Sequence, residues 1–329
     1  MYRQRCGGSS PFDGTKFSFR INNSGPNPHG LTRLLFSGSA ATAADADSPL
    51  ASRIIQSLAM PVSLDQIVGS TRRKLTEAKR LADVRELERR AEQHVPRGFR
   101  RALEEKSRSG VAVIAELKKA SPSKGLIRAE FYAKELAAEL GAAGAAALSV
   151  LTDDDFFQGS LDNLRLASAA VKIPCLRKDF IVDEFQLLEA RANAADAVLL
   201  IVAALTNAEL NRLVLEARRH ELDVLCEVHD AKELQRALDA GCDLIGVNTR
   251  DLRTFKVDAE TAFRLAELLP KSAVRVAESG IRSGEDIALL RAAGYQAFLI
   301  GESLMRAERP GEALRGLIAS TELRVSSAR

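Results

Sequence analysis

The chain has 329 residues, of which 46% are hydrophobic and 5% are aromatic, and its formal net charge at pH 7 is +3. The lack of tryptophan and the few aromatic residues argue against a stacking surface for single-stranded nucleic acid. Residues 1–59 contain six Lys or Arg and three Asp, so residues 60–329 carry no net charge. Without an overall basic field, we expect neither nucleic acid nor a membrane surface as a partner, although a local cationic pocket for a small anion is compatible with this balance.

The chain length fits either two domains or one large α/β barrel. No apolar run reaches the length of a membrane span. The four cysteines show no CxxC or His-paired spacing, and Cys175, Cys226 and Cys242 lie in apolar, strand-like runs. Such cysteines are ordinarily buried and reduced, which predicts a reducing compartment, the cytoplasm.

Residues 1–59 differ in composition from the rest of the chain. They are rich in Gly, Ser, Pro and Asn and show no sustained periodicity, so we predict a disordered N-terminal extension. Three explanations are open: a mis-assigned start with the natural one at Met60, a leader of the transit-peptide kind, and a flexible tail. The first is favoured because Met60 directly precedes an organised segment. Residues 60–329 then form the folded domain.

Residues 63–106 predict a charged helical extension. Ser63 can cap a helix that runs through LDQIVGSTRRKLTEAKR, and a second helix follows through ADVRELERRAEQ and ends before Pro96. The apolar stripe of the first helix consists of Leu64, Ile67, Val68 and Leu75. Acidic residues are interleaved with the basic runs of both helices, which is typical of a solvated helix face and not of a nucleic-acid contact.

From residue 111 onwards, apolar strand patterns alternate regularly with helical patterns. Eight strand candidates begin near Val111, Ala145, Val171, Asp196, Leu222, Asp243, Ala273 and Gln296. This alternation predicts an α/β protein with a parallel sheet and helices outside it. The count of eight favours a closed (β/α)₈ TIM barrel with an N-terminal helical extension. An open doubly wound sheet is the alternative, but no GxGxxG follows the first strand.

Polar side chains stand at the ends of five strands, where the chemistry of such a barrel is located. They are Glu116 and Lys118 on the first strand, Lys178 on the third, Glu227 on the fifth, Asn248 on the sixth and Glu278 on the seventh. Each charge on the inward face of an apolar strand is costly unless it is compensated. Structural ion pairs at the end of a barrel could explain one or two of these polar groups. Six polar groups that converge on the same end predict an active site.

The last two loops predict a phosphate site. Ser279-Gly280 follows the seventh strand, and Gly301 follows the eighth, directly before a helical run that begins at Glu302. Loops after these two strands, together with a helix N-terminus, commonly bind phosphate in this fold. The four histidines form no metal cluster, and Asp153-Asp154-Asp155 is interpreted as a solvated loop, so no metal site is predicted.

Seven stretches of the sequence resemble the indole-3-glycerol phosphate synthase family, over about residues 61–320. They are AELKKASPSKG (115–125), LTDDDFFQGSLDNL (151–164), PCLRKDFIVDEFQL (174–187), CEVHD (226–230), IGVNTRDL (245–252), AESGI (277–281) and FLIGESLM (298–305). The resemblance implies a carboxy-lyase of tryptophan biosynthesis. Its substrate would be 1-(2-carboxyphenylamino)-1-deoxyribulose 5-phosphate, and its products indole-3-glycerol phosphate, carbon dioxide and water.

The resemblance also implies a role for each matching residue. Lys178 would be the general acid at the ketose carbonyl, and Lys118 would hold the anthranilate carboxylate and take part in proton transfers. Glu227 would act as base or acid in the dehydration, with Glu116 as its polar partner. The implied substrate-positioning residues are Asn248, Ser279, Glu278, Ser121, Phe157, Phe180 and Arg250. The implied phosphate-binding residues are Gly280, Gly301 and the amide of Glu302.

The implied chemistry agrees with the residue types. A lysine among apolar neighbours can have its pKa lowered towards neutrality, which suits general acid catalysis. A cation is best suited to hold the departing carboxylate. No cofactor is expected, because the aryl amine nitrogen can accept the developing positive charge.

Two other functions are open. A different phosphate-binding barrel, such as a phosphoribosyl anthranilate isomerase, would not explain two inward lysines on the first and third strands. A non-catalytic barrel acting as a partner subunit would be expected to lack at least one strand-end charge. We expect a phosphorylated small molecule as the substrate and a monomer or weak homo-oligomer.

Overall fold

The computed structural model describes residues 62–250 and 257–327. The predicted extension of residues 1–59 lies outside this part, as does Cys6. Cys175, Cys226 and Cys242 are buried with free thiols, as predicted.

Eight parallel strands close into a barrel, which confirms the predicted fold class. The barrel strands are β1 (Ala112–Leu117), β4 (Ala147–Leu151), β5 (Cys175–Lys178), β6 (Ala197–Ile201), β7 (Asp223–Val228), β8 (Leu244–Asn248), β9 (Val274–Glu278) and β10 (Ala297–Ile300). Each strand pairs with the next one along the chain, and β1 pairs with β10 to close the barrel. Two short strands in the loop after β1, namely β2 (Ala120–Ser121) and β3 (Gly125–Leu126), form an antiparallel hairpin.

Twelve helices are seen in the described residues. Three precede the barrel: α1 (Leu64–Leu81), α2 (Val84–Gln93) and α3 (Phe99–Ser109). The others follow strands or end the chain: α4 (Ala133–Ala142), α5 (Leu161–Ala170), α6 (Phe185–Ala192), α7 (Asn207–Arg219), α8 (Ala231–Asp239), α9 (Ala259–Ala266), α10 (Gly284–Ala292), α11 (Glu302–Arg306) and α12 (Pro310–Ser327). Ser63 caps α1 through a reciprocal capping box with Gln66, as the sequence predicted.

One strand start and the position of one cysteine differ from the sequence prediction. The third barrel strand begins at Cys175, not near Val171, because the backbone bends at Lys172 and Ile173 and Pro174 has no N–H for the sheet. Cys242 lies just before β8 and not inside a strand, since β8 begins at Leu244.

The apolar core has two layers. An outer layer between the strands and the helices contains residues such as Val113, Leu148 and Leu187. An inner layer fills the barrel and contains Ile114, Leu176 and Leu225. This division follows from the alternation of side chains along each strand, which sends every second residue into the barrel.

Helix α3 closes the N-terminal end of the barrel. Phe99 and Leu103 are fully buried and belong to the inner layer. Beside them, Arg97 pairs with the buried Asp196, which precedes β6, and the backbone N–H of Arg100 donates to Asp223 at the start of β7. The helical extension therefore completes the core of the barrel, in addition to covering its surface.

Helix α1 lies at the opposite end, where the strands have their C-termini. Lys74 pairs with Asp154 and Asp155 in the loop after β4, and Lys79 pairs with Asp183 after β5 at 2.7 Å. Asp153 is buried, which the sequence analysis did not predict, whereas Lys74, Asp154 and Asp155 are exposed, as expected of a solvated helix face and a solvated loop. These charges are paired with each other, which fixes α1 against the loops.

Candidate active site

A cavity of about 420 Å³ lies at the C-terminal ends of the strands. All fourteen residues that the sequence predicted for the site line this cavity: Glu116, Lys118, Ser121, Phe157, Lys178, Phe180, Glu227, Asn248, Arg250, Glu278, Ser279, Gly280, Gly301 and Glu302. They come from seven segments of the chain. The barrel brings them together because parallel strands end on the same side.

Glu116 and Lys118 form an ion pair at the end of β1. Nζ of Lys118 lies 2.6 Å from Oε1 of Glu116, and both side chains are largely buried. The sequence analysis noted that each inward charge on an apolar strand must be compensated, and on this strand each of the two charges compensates the other.

Lys178 lies among carboxylates in the centre of the site. Its Nζ is 3.2 Å from Oε2 of Glu227 and 3.9 Å from Oε2 of Glu278. Burial acts to lower the pKa of Lys178, but Glu227, Glu278 and Glu116 outweigh it and raise the pKa above its usual range. The expectation of a pKa near neutrality is therefore wrong, because desolvation is accompanied by nearby negative charge.

The two carboxylates beside Lys178 have opposite pKa shifts. Burial acts to raise the pKa of Glu227, but Lys178 and His229 outweigh it and hold that pKa well below its usual range. Burial and the neighbouring charge of Glu227 raise the pKa of Glu278 to about 8. At neutral pH the site therefore contains an ionised Glu227 and a mostly protonated Glu278. Such a divergence between neighbouring carboxyl groups is typical of acid–base sites.

A chain of hydrogen bonds connects Glu227 with Ser279. Nδ2 of Asn248 donates to Oε1 of Glu227 at 3.0 Å, and Oγ of Ser279 donates to Oδ1 of Asn248 at 2.8 Å. The backbone N–H of Arg250 donates to the same Asn248 oxygen at 3.0 Å. Ser279 has a φ of 65°, a left-handed conformation that is strained for a residue other than glycine. This strain is stored where the loop after β9 turns towards the cavity.

Aromatic and aliphatic side chains form one wall of the cavity. The rings of Phe157 and Phe180 lie 6.1 Å apart with a tilt of 40°. Leu64 and Ile67 of α1 line the same cavity, so the helical extension contributes directly to the site. The sequence analysis assigned them only to an apolar stripe. Their position at the start of that stripe carried no sign of a ligand contact.

The predicted phosphate end contains Gly280, Gly301 and Glu302. Ser303 also lines the cavity there, and its buried Oγ has no hydrogen-bond partner among the described residues. The side chain of Glu302 accepts a hydrogen bond from Nε of Arg306 at 3.1 Å. Gly280 has a φ of 75°, which favours glycine on conformational grounds alone.

Two residues that the sequence analysis missed support the carboxylates. A Cβ on Gly246 of β8 would lie 2.1 Å from Oε1 of Glu278, so the absence of a side chain makes room for that carboxylate. His229 lies 3.3 Å from Glu227 through Nε2. A glycine inside a strand was a usable signal for close approach, and the spacing of His229 from Glu227 was another.

A family model described as indole-3-glycerol phosphate synthase matches residues 64–317. The chain belongs to this family. An indole-3-glycerol phosphate synthase from Koribacter versatilis (strain Ellin345) is 63% identical over 259 residues, which cover 79% of this chain and 100% of the relative. One from Bordetella pertussis (strain Tohama I) is 50% identical over 253 residues, which cover 77% and 94% respectively.

Solved structures outside the indole-3-glycerol phosphate synthase family share the barrel. A thiamine phosphate pyrophosphorylase from Pyrococcus furiosus aligns with a TM-score of 0.50 at 16% identity, covering 65% of this chain and 96% of the other. KGPDC from Streptococcus mutans aligns with a TM-score of 0.51 at 12% identity, covering 65% and 98%. At these identities the likeness concerns the fold alone.

Proposed function

We propose how this member of the indole-3-glycerol phosphate synthase family carries out the reaction of the family. The enzyme is a carboxy-lyase of tryptophan biosynthesis. It closes the indole ring of 1-(2-carboxyphenylamino)-1-deoxyribulose 5-phosphate and releases carbon dioxide and water. The observation that carries the residue assignment is the position of Lys178, a buried cation between the carboxylate of Glu227 and the carboxyl group of Glu278 in the cavity.

Lys178 is the general acid of ring closure. The aryl carbon that bears the carboxylate attacks the ketose carbonyl carbon, and the carbonyl oxygen takes the proton of Lys178. A general acid must be protonated before the reaction, and the raised pKa of Lys178 meets this condition. Transfer is still favourable because the alkoxide formed by the attack is more basic than an amine.

Lys118 holds the anthranilate carboxylate until it leaves. Its ammonium group is paired with Oε1 of Glu116 at 2.6 Å. A second carboxylate can share this cation, because an ammonium group has three donors. When carbon dioxide departs, the bond electrons restore the aromatic ring, and the negative charge at Lys118 disappears.

Glu227 acts in the dehydration that follows. Loss of the new hydroxyl group requires a proton at the leaving oxygen, which the ammonium group of Lys118 supplies, and removal of a proton from the ring that is being formed, which Glu227 takes up. Glu227 is ionised in the resting site, so it begins this step as a base. Glu116 is the polar partner near the reacting hydroxyl groups. The amine nitrogen supplies the electron pair that expels water, so no cofactor is required by this chemistry.

The remaining predicted residues bind and orient the substrate. Phe157 and Phe180 contact the aromatic ring, and the chain from Ser279 through Asn248 fixes Glu227. Glu278, Ser121 and Arg250 complete the positioning residues. Gly280, Gly301 and the amide of Glu302 bind the phosphate, and the Oγ of Ser303, which has no partner in the part of the chain that the structure describes, is available to the same group.

A fluorescence assay for indole-3-glycerol phosphate, with purified protein and synthetic substrate, tests the proposed function. Formation of the product by the wild type and its loss in Lys178→Met would support it. Turnover of a phosphoribosyl anthranilate instead would favour the isomerase. Absence of both activities would favour a non-catalytic barrel.

No helix in residues 62–250 and 257–327 is long and apolar enough to cross a membrane. We infer a cytoplasmic enzyme that is a monomer or a weak homo-oligomer. Three buried free thiols support the reducing compartment. Analytical ultracentrifugation over a range of concentrations tests the oligomeric state, and a stable dimer at the lowest concentration would contradict it.

A further inference from the structure

His229 lies directly behind the proposed base, Glu227. It follows the end of β7 by one residue, so the side chains of Glu227 and His229 point to the same side of the strand. Nε2 of His229 is 3.3 Å from Oε1 of Glu227. His229 does not line the cavity, so it would touch Glu227 and not the substrate.

Glu233 of α8 holds the other side of the imidazole. Nδ1 of His229 is 3.0 Å from Oε2 of Glu233, and the backbone N–H of His229 donates to the same oxygen at 2.8 Å. A cation just before the N-terminus of a helix is unfavourable for the helix dipole. Glu233 compensates for it, and its Oε2 contacts both the backbone N–H and the ring of His229.

We propose that His229, held by Glu233, is a positioning residue that keeps Glu227 ionised and oriented towards Lys178 until Glu227 takes up a proton in the dehydration. This inference rests on the function proposed above, in which Glu227 acts as a base. It assigns a role to two residues outside the cavity.

Glu227 needs a second cation beside it because Lys178 gives up its proton during ring closure. Lys178 stabilises the charge of Glu227 only while it is protonated, and it becomes neutral once it has protonated the carbonyl oxygen. The other ionisable groups that face Lys178 are Glu278 and Glu116, which are acidic. His229 is then the cation that remains beside Glu227, and it prevents that carboxylate from taking up a proton early.

The electrostatics of His229 fit this role. Burial acts to lower its pKa, but Glu227 and Glu233 outweigh burial and raise the pKa to about 10. The imidazole therefore stays cationic across the pH range in which the enzyme is assayed. A fixed charge of this kind differs from a histidine that itself exchanges protons near neutrality.

The test compares pH profiles of kcat for the wild type, His229→Gln and Glu233→Gln. His229→Gln keeps a polar side chain but removes the charge beside Glu227. The pKa of Glu227 should therefore rise, and the acidic limb of the kcat profile, where Glu227 takes up a proton, should move up by about one to three pH units, the usual effect of one nearby charge. KM should change little. In Glu233→Gln, His229 loses a stabilising carboxylate, so kcat should fall on the alkaline side, where the imidazole becomes neutral. The double variant should behave like His229→Gln alone.

His220→Gln is the matched control. His220 also pairs with a glutamate four residues away, Glu216 at 3.6 Å, but it lies at the end of α7 and does not line the cavity. Its profile should equal that of the wild type. If His229→Gln lowers kcat without moving the acidic limb, His229 is merely structural and the inference is overturned.

Nuclear magnetic resonance gives a readout that does not depend on activity. The chain has four histidines, and the imidazole signal missing from His229→Gln identifies His229. This signal should remain that of the cation at pH 8 in the wild type and should titrate at a lower pH in Glu233→Gln. A neutral His229 at pH 8 would overturn the inference, even if the wild type is active. An inactive wild type with a cationic His229 would instead contradict the proposed function.

Discussion

Gly301 and Glu116 are in such close contact that a Cβ atom on Gly301 would lie 2.4 Å from Oε1 of Glu116 and 2.9 Å from its Cβ. The sequence indicated that Gly301 lets a phosphate approach the backbone. The structure shows a second reason for glycine, because β10 pairs with β1 and the end of β10 packs against the side chain of Glu116. The expected effect of a substitution changes accordingly.

We predict that Gly301→Ala lowers kcat as well as raising KM. Loss of phosphate contacts alone would act equally on the ground state and the transition state and would appear in KM. Displacement of Glu116 would also disturb Lys118, which holds the carboxylate that leaves. Gly316→Ala is the control, since a Cβ on Gly316 would meet no atom within 4 Å. Steady-state kinetics of both variants check this, and an unchanged kcat in Gly301→Ala would show that only the phosphate is affected.

Gly280→Ala tests the phosphate end without touching Glu116. Gly280 has a φ of 75°, and its Cβ would lie 2.9 Å from Cγ1 of Val257, so the loop after β9 should shift. We expect KM to rise and inorganic phosphate to become a weaker competitor. Gly144→Ala, at a φ of 99° with the nearest contact at 3.6 Å, introduces similar backbone strain at a residue that does not line the cavity. Equal phosphate inhibition in Gly280→Ala and in the wild type would place the anion elsewhere.

The sequence predicted which residues line the candidate site better than it predicted the interactions that surround those residues. Lys178, Glu227 and Glu278 could be found because a charge at the end of an apolar strand is recognisable one strand at a time. The pKa of Lys178 could not, because it depends on which carboxylates the closed barrel brings to its Nζ. The pairing of Lys74 with the loop after β4 could not be predicted either, because it joins residues that are 80 positions apart in the sequence.

The predicted boundary before Met60 is tested by a chain shortened to residues 60–329. All predicted site residues follow residue 115, and the family match covers residues 64–317. We expect the shortened chain to keep the kcat and the melting temperature of the full chain. Activity assays and differential scanning calorimetry measure both. A substantially lower melting temperature would show that residues 1–59 stabilise the fold.

We predict that Lys178→Met abolishes ring closure while substrate still binds. The side-chain volume is nearly kept, but the proton donor is lost, and general acid catalysis typically supplies ~10²–10⁴-fold in rate. The cation beside Glu227 is lost as well, so the later dehydration should also suffer. Lys172→Met, at an exposed lysine before β5, is the control. A Lys178→Met variant that retains more than about a tenth of the turnover would exclude Lys178 as the acid.

Glu278→Gln should change how stability depends on pH. The pKa of Glu278 is raised from 4.5 to about 8 in the folded protein, so the folded state binds this proton more tightly than the unfolded state does. Stability contributed by the protonated group is therefore present below about pH 4.5 and is lost as the pH rises towards 8. Glutamine resembles the protonated carboxyl group and does not titrate. The free energy of unfolding of the variant should therefore exceed that of the wild type increasingly between pH 5 and pH 8, by at most about 1.4 kcal/mol per pH unit.

Urea unfolding of both proteins at pH 5, 6.5 and 8 measures the difference, in which the other titrating groups largely cancel. A difference that stays constant over this range would mean that Glu278 has an ordinary pKa.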